Sequence, residues 1–127
     1  MKLLLDVNVL VAACHTGHSG HDRARHWVAG LQNPEFLTSP VTEIGFVRVA
    51  VACALQPGVV SAISALERWK KAAKARMIGD DHGAARLPAW ADTPGKTTDG
   101  HLVELAHAHG AKLATMDTKI PGALLLP

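Results

Sequence analysis

The feature that most constrains this chain is the apolar run at its start, MKLLLDVNVL, in which one acid, Asp6, interrupts leucines and valines. Apolar residues occupy both alternating faces of the run, which is typical of a central parallel strand covered on two sides. We therefore predict a first strand over residues 3–11. Parallel strands require crossover connections, usually helices, so the run favours an α/β fold.

Strand-like and helical patterns alternate along the rest of the chain. ARHWVAGL is predicted to be a short amphipathic helix, EFLT a strand, and Ser39-Pro40 the start of a helix that runs toward Leu55. The remaining predicted elements are a helix over VVSAISALERWKKAAKAR, a helix over Asp99 to His109 capped by Thr98, a strand AKLATMD and a short edge strand in the tail. Together they predict an α/β sandwich with a mainly parallel central sheet.

Length and composition fit a single globular domain over residues 1–127. The chain is 48% hydrophobic and 19% charged with a mean hydropathy of +0.12, and no stretch approaches the roughly 20 apolar residues of a membrane span. The first apolar run is too short for a signal peptide. We therefore expect a soluble, cytoplasmic protein without a membrane partner. A net charge of +2 does not by itself indicate or exclude a nucleic-acid partner.

Four acids fall where a parallel sheet places its ligands, at the carboxyl ends of the strands. Asp6 lies toward the end of the first predicted strand, Asp117 ends AKLATMD, and Glu43 and Asp99 lie in first helical turns. Four carboxylates in one partly dry pocket repel one another unless protons or cations offset their charge. Because the ligands are oxygens, Mg²⁺ or Mn²⁺ is expected rather than Zn²⁺. Such ions activate water and stabilise attack on a phosphodiester.

Two polar residues are predicted to support these acids. Side chains two apart on a strand share a face, so Asn8 accompanies Asp6 and Thr115 accompanies Asp117. Both can orient the carboxylates by hydrogen bonds. Each acid alone is also explained as a cap, turn or helix-start residue, and it is the coincidence of four that favours a functional site.

The segments LLLDVNVLV, TEIGFVRV and TTDGHLVELAHAHGAKLATMD together resemble the PIN-domain family of metal-dependent ribonucleases, especially the VapC-type toxins of toxin–antitoxin pairs. The resemblance covers nearly the whole chain and implies a PIN-like three-layer α/β/α sandwich. It also implies a metal-binding set and two polar supporting positions. The metal-binding set is Asp6, Glu43, Asp99 and Asp117, and the supporting positions are Asn8 and Thr115.

The resemblance further implies a function. It predicts an endoribonuclease toxin that hydrolyses RNA with metal-activated water, forms a homodimer and is silenced by a cognate antitoxin. The apolar faces of residues 46–55 and 59–66 are the expected contact surface for the antitoxin or a second copy. The alternative is a catalytically silent PIN-like module that binds RNA or protein, and the presence of all four acids favours the enzyme. A haloacid-dehalogenase-type phosphatase would need an aspartate where this chain has Asn8.

Other polar residues lie outside the set of four acids. The segment 79–96 has little periodicity, and long loops of this kind are often functional; its Arg86, Trp90 and Lys96 are predicted to contact RNA phosphates and to stack a base. His15, His18 and His21 are expected to form a solvated turn rather than a zinc site. The basic residues of the second long helix are expected to form a solvated face, with an RNA phosphate track as the alternative. These are Arg68, Lys70, Lys71, Lys74 and Arg76.

Overall fold

A computed structural model describes residues 1–127 as five strands and five α-helices. In chain order the elements are β1 (Lys2–Leu5), α1 (Val7–Cys14), α2 (His21–Gly30), β2 (Glu35–Thr38), α3 (Pro40–Ala52), α4 (Val59–Ala73), β3 (Arg76–Met77), α5 (Thr97–Ala108), β4 (Lys112–Thr115) and β5 (Leu124–Leu125). Two short 3₁₀ turns lie at Ala84–Arg86 and Pro94–Lys96. None of the helices has the length and apolar character that crossing a membrane would require.

The five strands form one sheet in the order β3-β2-β1-β4-β5, and every neighbouring pair is parallel. The predicted α/β fold with a parallel sheet is confirmed. β1 lies at the centre, between β2 and β4, so its carboxyl end is surrounded by the carboxyl ends of its neighbours. Residues that follow these three strands are therefore brought to one edge of the sheet.

Alternate residues of the central strands pack into two separate cores. Leu3 and Leu5 belong to a cluster with residues of α1, α2, α3 and α4 on one face, whereas Leu4 packs with α5 on the other. The side-chain period of a strand explains this division. Helices thus cover both faces, and the expected three-layer α/β/α sandwich is confirmed.

The predicted first strand is wrong beyond Leu5. The strand ends there, and α1 begins at Val7, with Asp6 as its N-cap, whose carboxylate accepts a hydrogen bond from the Val7 amide at 2.8 Å. The run VNVLVAAC is apolar on nearly every position, and such a run does not distinguish a buried helix from a buried strand. The capping acid was the signal that the chain turns.

Other boundaries differ less. β2 and the start of α3 lie where the sequence predicts them, and Ser39 and Thr42 form a reciprocal capping box. The predicted cap at Thr98 is wrong, because α5 begins at Thr97 and Thr98 lies inside its first turn. The two-residue β3 was not predicted, since its pairing with β2 at the sheet edge leaves no periodic signal in the sequence.

α1 and α3 cross at close range at Gly45. A Cβ atom built there would lie 2.6 Å from Cγ2 of Val7, well inside van der Waals contact. Glycine at this position therefore lets the first turn of α1 approach α3, which carries Glu43.

The histidines of the segment after α1 do not form the solvated turn that was expected. His15 is buried, its Nδ1 lies 2.8 Å from the Val11 carbonyl oxygen, and its ring stacks on Phe46. His21 is half-buried and its Nδ1 lies 2.8 Å from the carbonyl oxygen of Ala12. Both rings therefore satisfy backbone carbonyls around the end of α1.

Candidate active site

The four acids all lie at the carboxyl edge of the sheet. Asp6 follows β1 directly, and Asp117 lies two residues beyond the end of β4. Glu43 and Asp99 lie in the first turns of α3 and α5. The ends of strands therefore place Asp6 and Asp117 at this edge, and the starts of helices place Glu43 and Asp99 there.

Asp6 is the most constrained of the four. Its side chain is buried, and its Oδ2 accepts a hydrogen bond from Thr115 Oγ1 at 2.8 Å, while Oδ1 accepts from the Val7 amide. Thr115 Oγ1 in turn accepts a hydrogen bond from the Asp117 amide at 3.0 Å. One threonine thus links the acid after β1 to the acid after β4.

Asn8 joins the same network, although the reason given from the sequence is wrong. It lies in the first turn of α1 and not on a strand beside Asp6. Its Nδ2 donates to Thr115 Oγ1 at 3.3 Å, and its Oδ1 accepts from the Met116 amide at 3.2 Å. The side-chain amide of Asn8 therefore links the start of α1 to the end of β4 by hydrogen bonds.

Three of the acids share one electrostatic environment. Burial raises the pKa of Asp6, opposed by the hydrogen bonds from Thr115 and Val7, and the charge of Asp117 raises it further. Burial also raises the pKa of Asp99, as do the negative charges of Asp6 and Asp117. None of the three forms an ion pair with a basic side chain in this structure. We refer to Asp6, Asp99 and Asp117 as the aspartate cluster.

Glu43 has a different environment. Its Oε2 lies 2.9 Å from Nζ of Lys70 on α4, and Thr38 Oγ1 donates a hydrogen bond to the same oxygen. Burial lowers the pKa of Lys70, but its hydrogen bonds and ion pairs with Glu43 and Glu67 outweigh this, and the pKa is raised overall. Lys70 therefore does not belong to a solvated basic face, since its side chain is only 15% exposed.

The donor chemistry of the aspartate cluster fits a hard divalent cation. Its ligands are carboxylate oxygens, and negative charge collects there without an internal cation to offset it. As the side chains stand, no three His, Cys, Asp or Glu side chains are arranged around a common metal position. Sharing an ion would therefore require these side chains to rearrange, and Asp99 is partly exposed and Asp117 exposed.

The three predicted RNA contacts lie in different surroundings. Arg86 and Lys96 are exposed, and Lys96 Nζ lies 3.2 Å from Asp92 Oδ1. Trp90 is half-buried, and part of its side chain packs against the core on the α5 side. Contact of these side chains with RNA stays a prediction.

Sequence reasoning missed two residues of the site, Thr38 and Lys70. Thr38 is the last residue of β2, as Thr115 is the last residue of β4, and both donate to an acid. A threonine at the end of an otherwise apolar strand, in EFLT and KLAT, was an available signal. Lys70 left no such signal, because its partner depends on how α4 packs against α3.

Fold and site together define a class: α/β/α sandwiches with an acidic centre at the carboxyl edge of a parallel sheet. The sequence model of the PIN domain family matches residues 3–123. The chain belongs to this family.

Several curated relatives of this chain are ribonucleases from Mycobacterium tuberculosis. It is 32% identical to Ribonuclease VapC44, in an alignment that covers 97% of this chain and 94% of that protein. It is 33% identical to Ribonuclease VapC38, over 92% of this chain and 86% of that protein. The chain thus resembles these relatives over nearly its whole length.

Solved structures share the fold at lower identity. M. tuberculosis VapC20, described as a sarcin-ricin loop cleaving toxin, superposes with a TM-score of 0.68 at 13% identity over 98% of this chain and 99% of that one. A toxin–antitoxin complex from Klebsiella pneumoniae superposes with a TM-score of 0.65 at 20% identity, covering 98% of both chains. At these identities the likeness shows the fold alone.

Proposed function

We propose that this protein is a metal-dependent endoribonuclease, the toxin of a toxin–antitoxin pair, acting in the cytoplasm. One observation carries the proposal: a PIN fold presents three aspartates at the carboxyl edge of its sheet with no basic partner. Sequence relatives named VapC ribonucleases support the choice of RNA as substrate. The silent binding module is not favoured, because the whole acidic set is present.

In this proposal the aspartate cluster holds Mg²⁺ or Mn²⁺. When bound, the ion supplies Lewis-acid stabilisation of the charge that develops on the phosphate and provides an activated water. Thr115 and Asn8 keep the Asp6 carboxylate and the end of β4 in a fixed relation. Burial of Asp6 limits competing solvent and strengthens its electrostatic interactions. The chain therefore supplies a negatively charged cradle in which Asp6 is held in place by Thr115.

Glu43 is assigned a different role from the aspartates. Lys70 already offsets its charge, and Thr38 holds its Oε2 oxygen. We therefore assign Glu43 to orienting water or substrate at the edge of the site, rather than to direct ligation of the ion. Its other carboxylate oxygen, Oε1, accepts no hydrogen bond within the chain and is available for that task.

The test compares wild type with Asp99→Asn on labelled total RNA and tRNA, in Mg²⁺, Mn²⁺ or EDTA. Asp22→Asn is the matched control, since Asp22 is an exposed aspartate in the first turn of α2. Discrete fragments from wild type and Asp22→Asn, absent with Asp99→Asn or EDTA, are expected. RNA binding by wild type without cutting in any metal would establish the binding module instead.

A groove between α3 and α4 is the proposed antitoxin surface. It has a volume of about 360 Å³, its apolar lining includes Val47 and Leu66, and Glu43 is also one of its lining residues. Several of its apolar side chains are exposed, notably Ile44 and Ile63 at 68% and 47%. Exposed apolar surface of this kind marks interaction sites. The predicted surface over residues 46–55 needs correction, because Phe46 and Ala50 are buried in the chain's own core.

An antitoxin segment seated in this groove would lie beside Glu43 and close the site. Solved toxin–antitoxin complexes from Klebsiella pneumoniae and Rickettsia felis share the fold. Because the proposed toxin cleaves RNA, expression without the antitoxin should arrest growth. Ile63→Asp should escape neutralisation on co-expression with the antitoxin, whereas Ser64→Asp, an exposed neighbour outside the groove lining, should remain neutralised. Equal neutralisation of both variants would contradict this placement.

We extend the proposal to a homodimer. Val60 and Met77 are exposed apolar side chains outside the antitoxin groove, at 80% and 51%, and such surface suits contact with a second copy. Light scattering on the purified toxin should give the dimer mass, and a monomer mass at all concentrations would overturn this part.

A further inference from the structure

A second pocket lies beside the acidic edge and is not used by the mechanism. It has a volume of about 250 Å³ and lies between the first turns of α3 and α5 and the segment that follows β3. This volume is below the roughly 300–1,000 Å³ of sites for drug-sized ligands. The pocket therefore suits a single small ring system better than an extended ligand.

Asp80 fixes the wall of this pocket. Its Oδ1 accepts a hydrogen bond from the His82 amide at 3.1 Å, and its Oδ2 lies 2.6 Å from Nε2 of His101 on α5. One carboxylate thus ties the segment after β3 to the helix that carries Asp99. The pocket is a built feature of the fold, held by hydrogen bonds from both sides.

His82 lines the pocket and has one ring nitrogen without a partner in the chain. Its side chain is only 8% exposed, and its Nδ1 lies 3.3 Å from Asp81 Oδ1, whereas its Nε2 has no partner within the chain. No fully buried side-chain nitrogen in the structure lacks a partner, so this Nε2 retains accessible surface. Because His82 lines the pocket, a ligand there is the available partner.

The lining combines flat, apolar and hydrogen-bonding groups. Val41 and Leu87 supply apolar surface, His82 and His101 supply imidazole rings, and Thr98 supplies a hydroxyl group. Unpaired nucleobases are bound in this way, by stacking on aromatic or histidine rings and by hydrogen bonds at their edges. The carboxylates of Asp80 and Asp81 beside the pocket disfavour an anion and favour a neutral ring.

The pocket lies next to the proposed site of cleavage. Thr98 and His101 line it, and Asp99 lies between them on α5. The exposed basic residues Lys96 and Arg86 directly precede the lining residues Thr97 and Leu87. A strand of RNA with one base in the pocket would therefore place its backbone near both a basic rim and the aspartate cluster.

We propose that this pocket binds one unpaired nucleobase of the RNA substrate beside the scissile phosphate, and so selects the base at the cleavage site. The inference rests on the proposed function, because it assigns a subsite to the same RNA. The base-selecting groups are His82, His101 and Thr98.

The first test fills the pocket without removing a polar group. Ala84 and Ala85 are neighbours in one 3₁₀ turn, both exposed, but only Ala84 lines the pocket. Single-stranded oligoribonucleotides with randomised bases are cleaved by wild type, Ala84→Leu and Ala85→Leu, and the cut sites are sequenced. The ratio of cleavage at the preferred base to the other bases should fall at least about tenfold in Ala84→Leu and stay near the wild-type value in Ala85→Leu. An unchanged ratio in Ala84→Leu, or no base preference in wild type, overturns the proposal.

The second test does not depend on activity. Ring resonances of His82 and His101 are followed by NMR in EDTA while each of the four nucleosides, or inorganic phosphate, is added. The preferred nucleoside should shift both rings in wild type and in Ala85→Leu, but not in Ala84→Leu. If no nucleoside shifts either ring, or if phosphate alone does so, the pocket is not a base site. A wild type that cuts no RNA but shows the nucleoside shifts would refute the proposed function and leave the base-binding pocket standing.

Discussion

The aspartate cluster and Glu43 lie at the same edge of the sheet but are stabilised differently. Burial and the charge of Asp117 raise the pKa of Asp6, and burial and the charges of Asp6 and Asp117 raise the pKa of Asp99. None of the three acids has a basic partner. Glu43 carries an ion pair with Lys70. Each region uses a threonine at the end of a strand, Thr115 for Asp6 and Thr38 for Glu43. In the proposed mechanism the three aspartates therefore take a cation from outside the chain, whereas Lys70 already offsets the charge of Glu43.

The largest expected effect is the loss of RNA cleavage, which should be greater for variants of the aspartate cluster than for a variant of Glu43. Asp6→Asn and Asp99→Asn keep the size of the side chain and remove its charge, and each should lower the rate of RNA cleavage roughly 10³-fold or more, the upper range for single preorganised electrostatic groups. Glu43→Gln should lower it only about 10–100-fold, the range typical of residues that support a metal site from outside. Single-turnover kinetics on one defined substrate measure all three. Equal losses in the three variants would show that Glu43 belongs with the aspartates.

The two threonines give the next comparison. Thr115→Val removes the hydroxyl group that holds Asp6 and accepts from the Asp117 amide, and it should cost roughly 10–100-fold in metal affinity or rate. Thr38→Val should cost less, because Lys70 still holds Glu43. The Mg²⁺ concentration for half-maximal cleavage should rise in Thr115→Val and stay near the wild-type value in Thr38→Val. A larger rise in Thr38→Val would reverse the assignment.

The raised pKa of Asp99 predicts how stability depends on pH. The folded chain binds this proton more tightly than the unfolded chain, so without metal the fold loses stability as the pH rises from the ordinary value of 3.8 through the raised pKa. Asp99→Asn should remove part of that loss and raise the Tm at neutral pH. Mg²⁺ should raise the Tm of wild type at neutral pH. At a Mg²⁺ concentration of 100 times its Kd, binding adds about 2.7 kcal/mol to the free energy of unfolding. This gain should fade as the pH falls and protons displace the ion.

Differential scanning fluorimetry with Mg²⁺ or EDTA, from acidic to neutral pH, measures these shifts. Glu43→Gln serves as the control, since it should keep the Mg²⁺-dependent rise in Tm. A rise that survives in Asp99→Asn, or that grows toward acidic pH, would count against the aspartate cluster as the ion site.

The smallest expected effect concerns Lys70. Lys70→Met removes the cation that offsets Glu43 and leaves a carboxylate that is only 16% exposed without its partner. The free energy of unfolding should fall by roughly 1–3 kcal/mol, between the values for surface and buried pairs. Adding Glu43→Gln to Lys70→Met should recover part of the loss, which denaturant unfolding of both variants would show. Strictly additive losses would mean that the two charges do not interact.

Local signals explain what the sequence could predict. Ser39-Pro40 begins α3 through its own capping chemistry, so the position of Glu43 in the first turn follows from a few neighbouring residues. The edge of the sheet at which the acids lie follows from the parallel topology. The family resemblance linked the motifs, and the matches to the PIN family and to VapC relatives confirm it.

Contacts between distant segments explain the rest. The apolar run after Asp6 fits a strand or a helix, and apart from the capping acid Asp6 it carries no local sign of the helix that packs against α3 at Gly45. Lys70 looked like one of several exposed basic residues until α4 was placed against α3. Similarly, the pairing of the half-buried His101 with Asp80 depends on a segment without periodicity. Such contacts between residues far apart in the chain cannot be predicted from the pattern of a single sequence.

The most direct test of the central claim is calorimetric titration of Mn²⁺ into the antitoxin-free protein, with wild type, Asp99→Asn, Glu43→Gln and Asp22→Asn compared at neutral pH. The aspartate cluster predicts binding in wild type, Glu43→Gln and Asp22→Asn, and its loss in Asp99→Asn. Binding by Asp99→Asn equal to that of wild type, or no binding by wild type, would contradict the account.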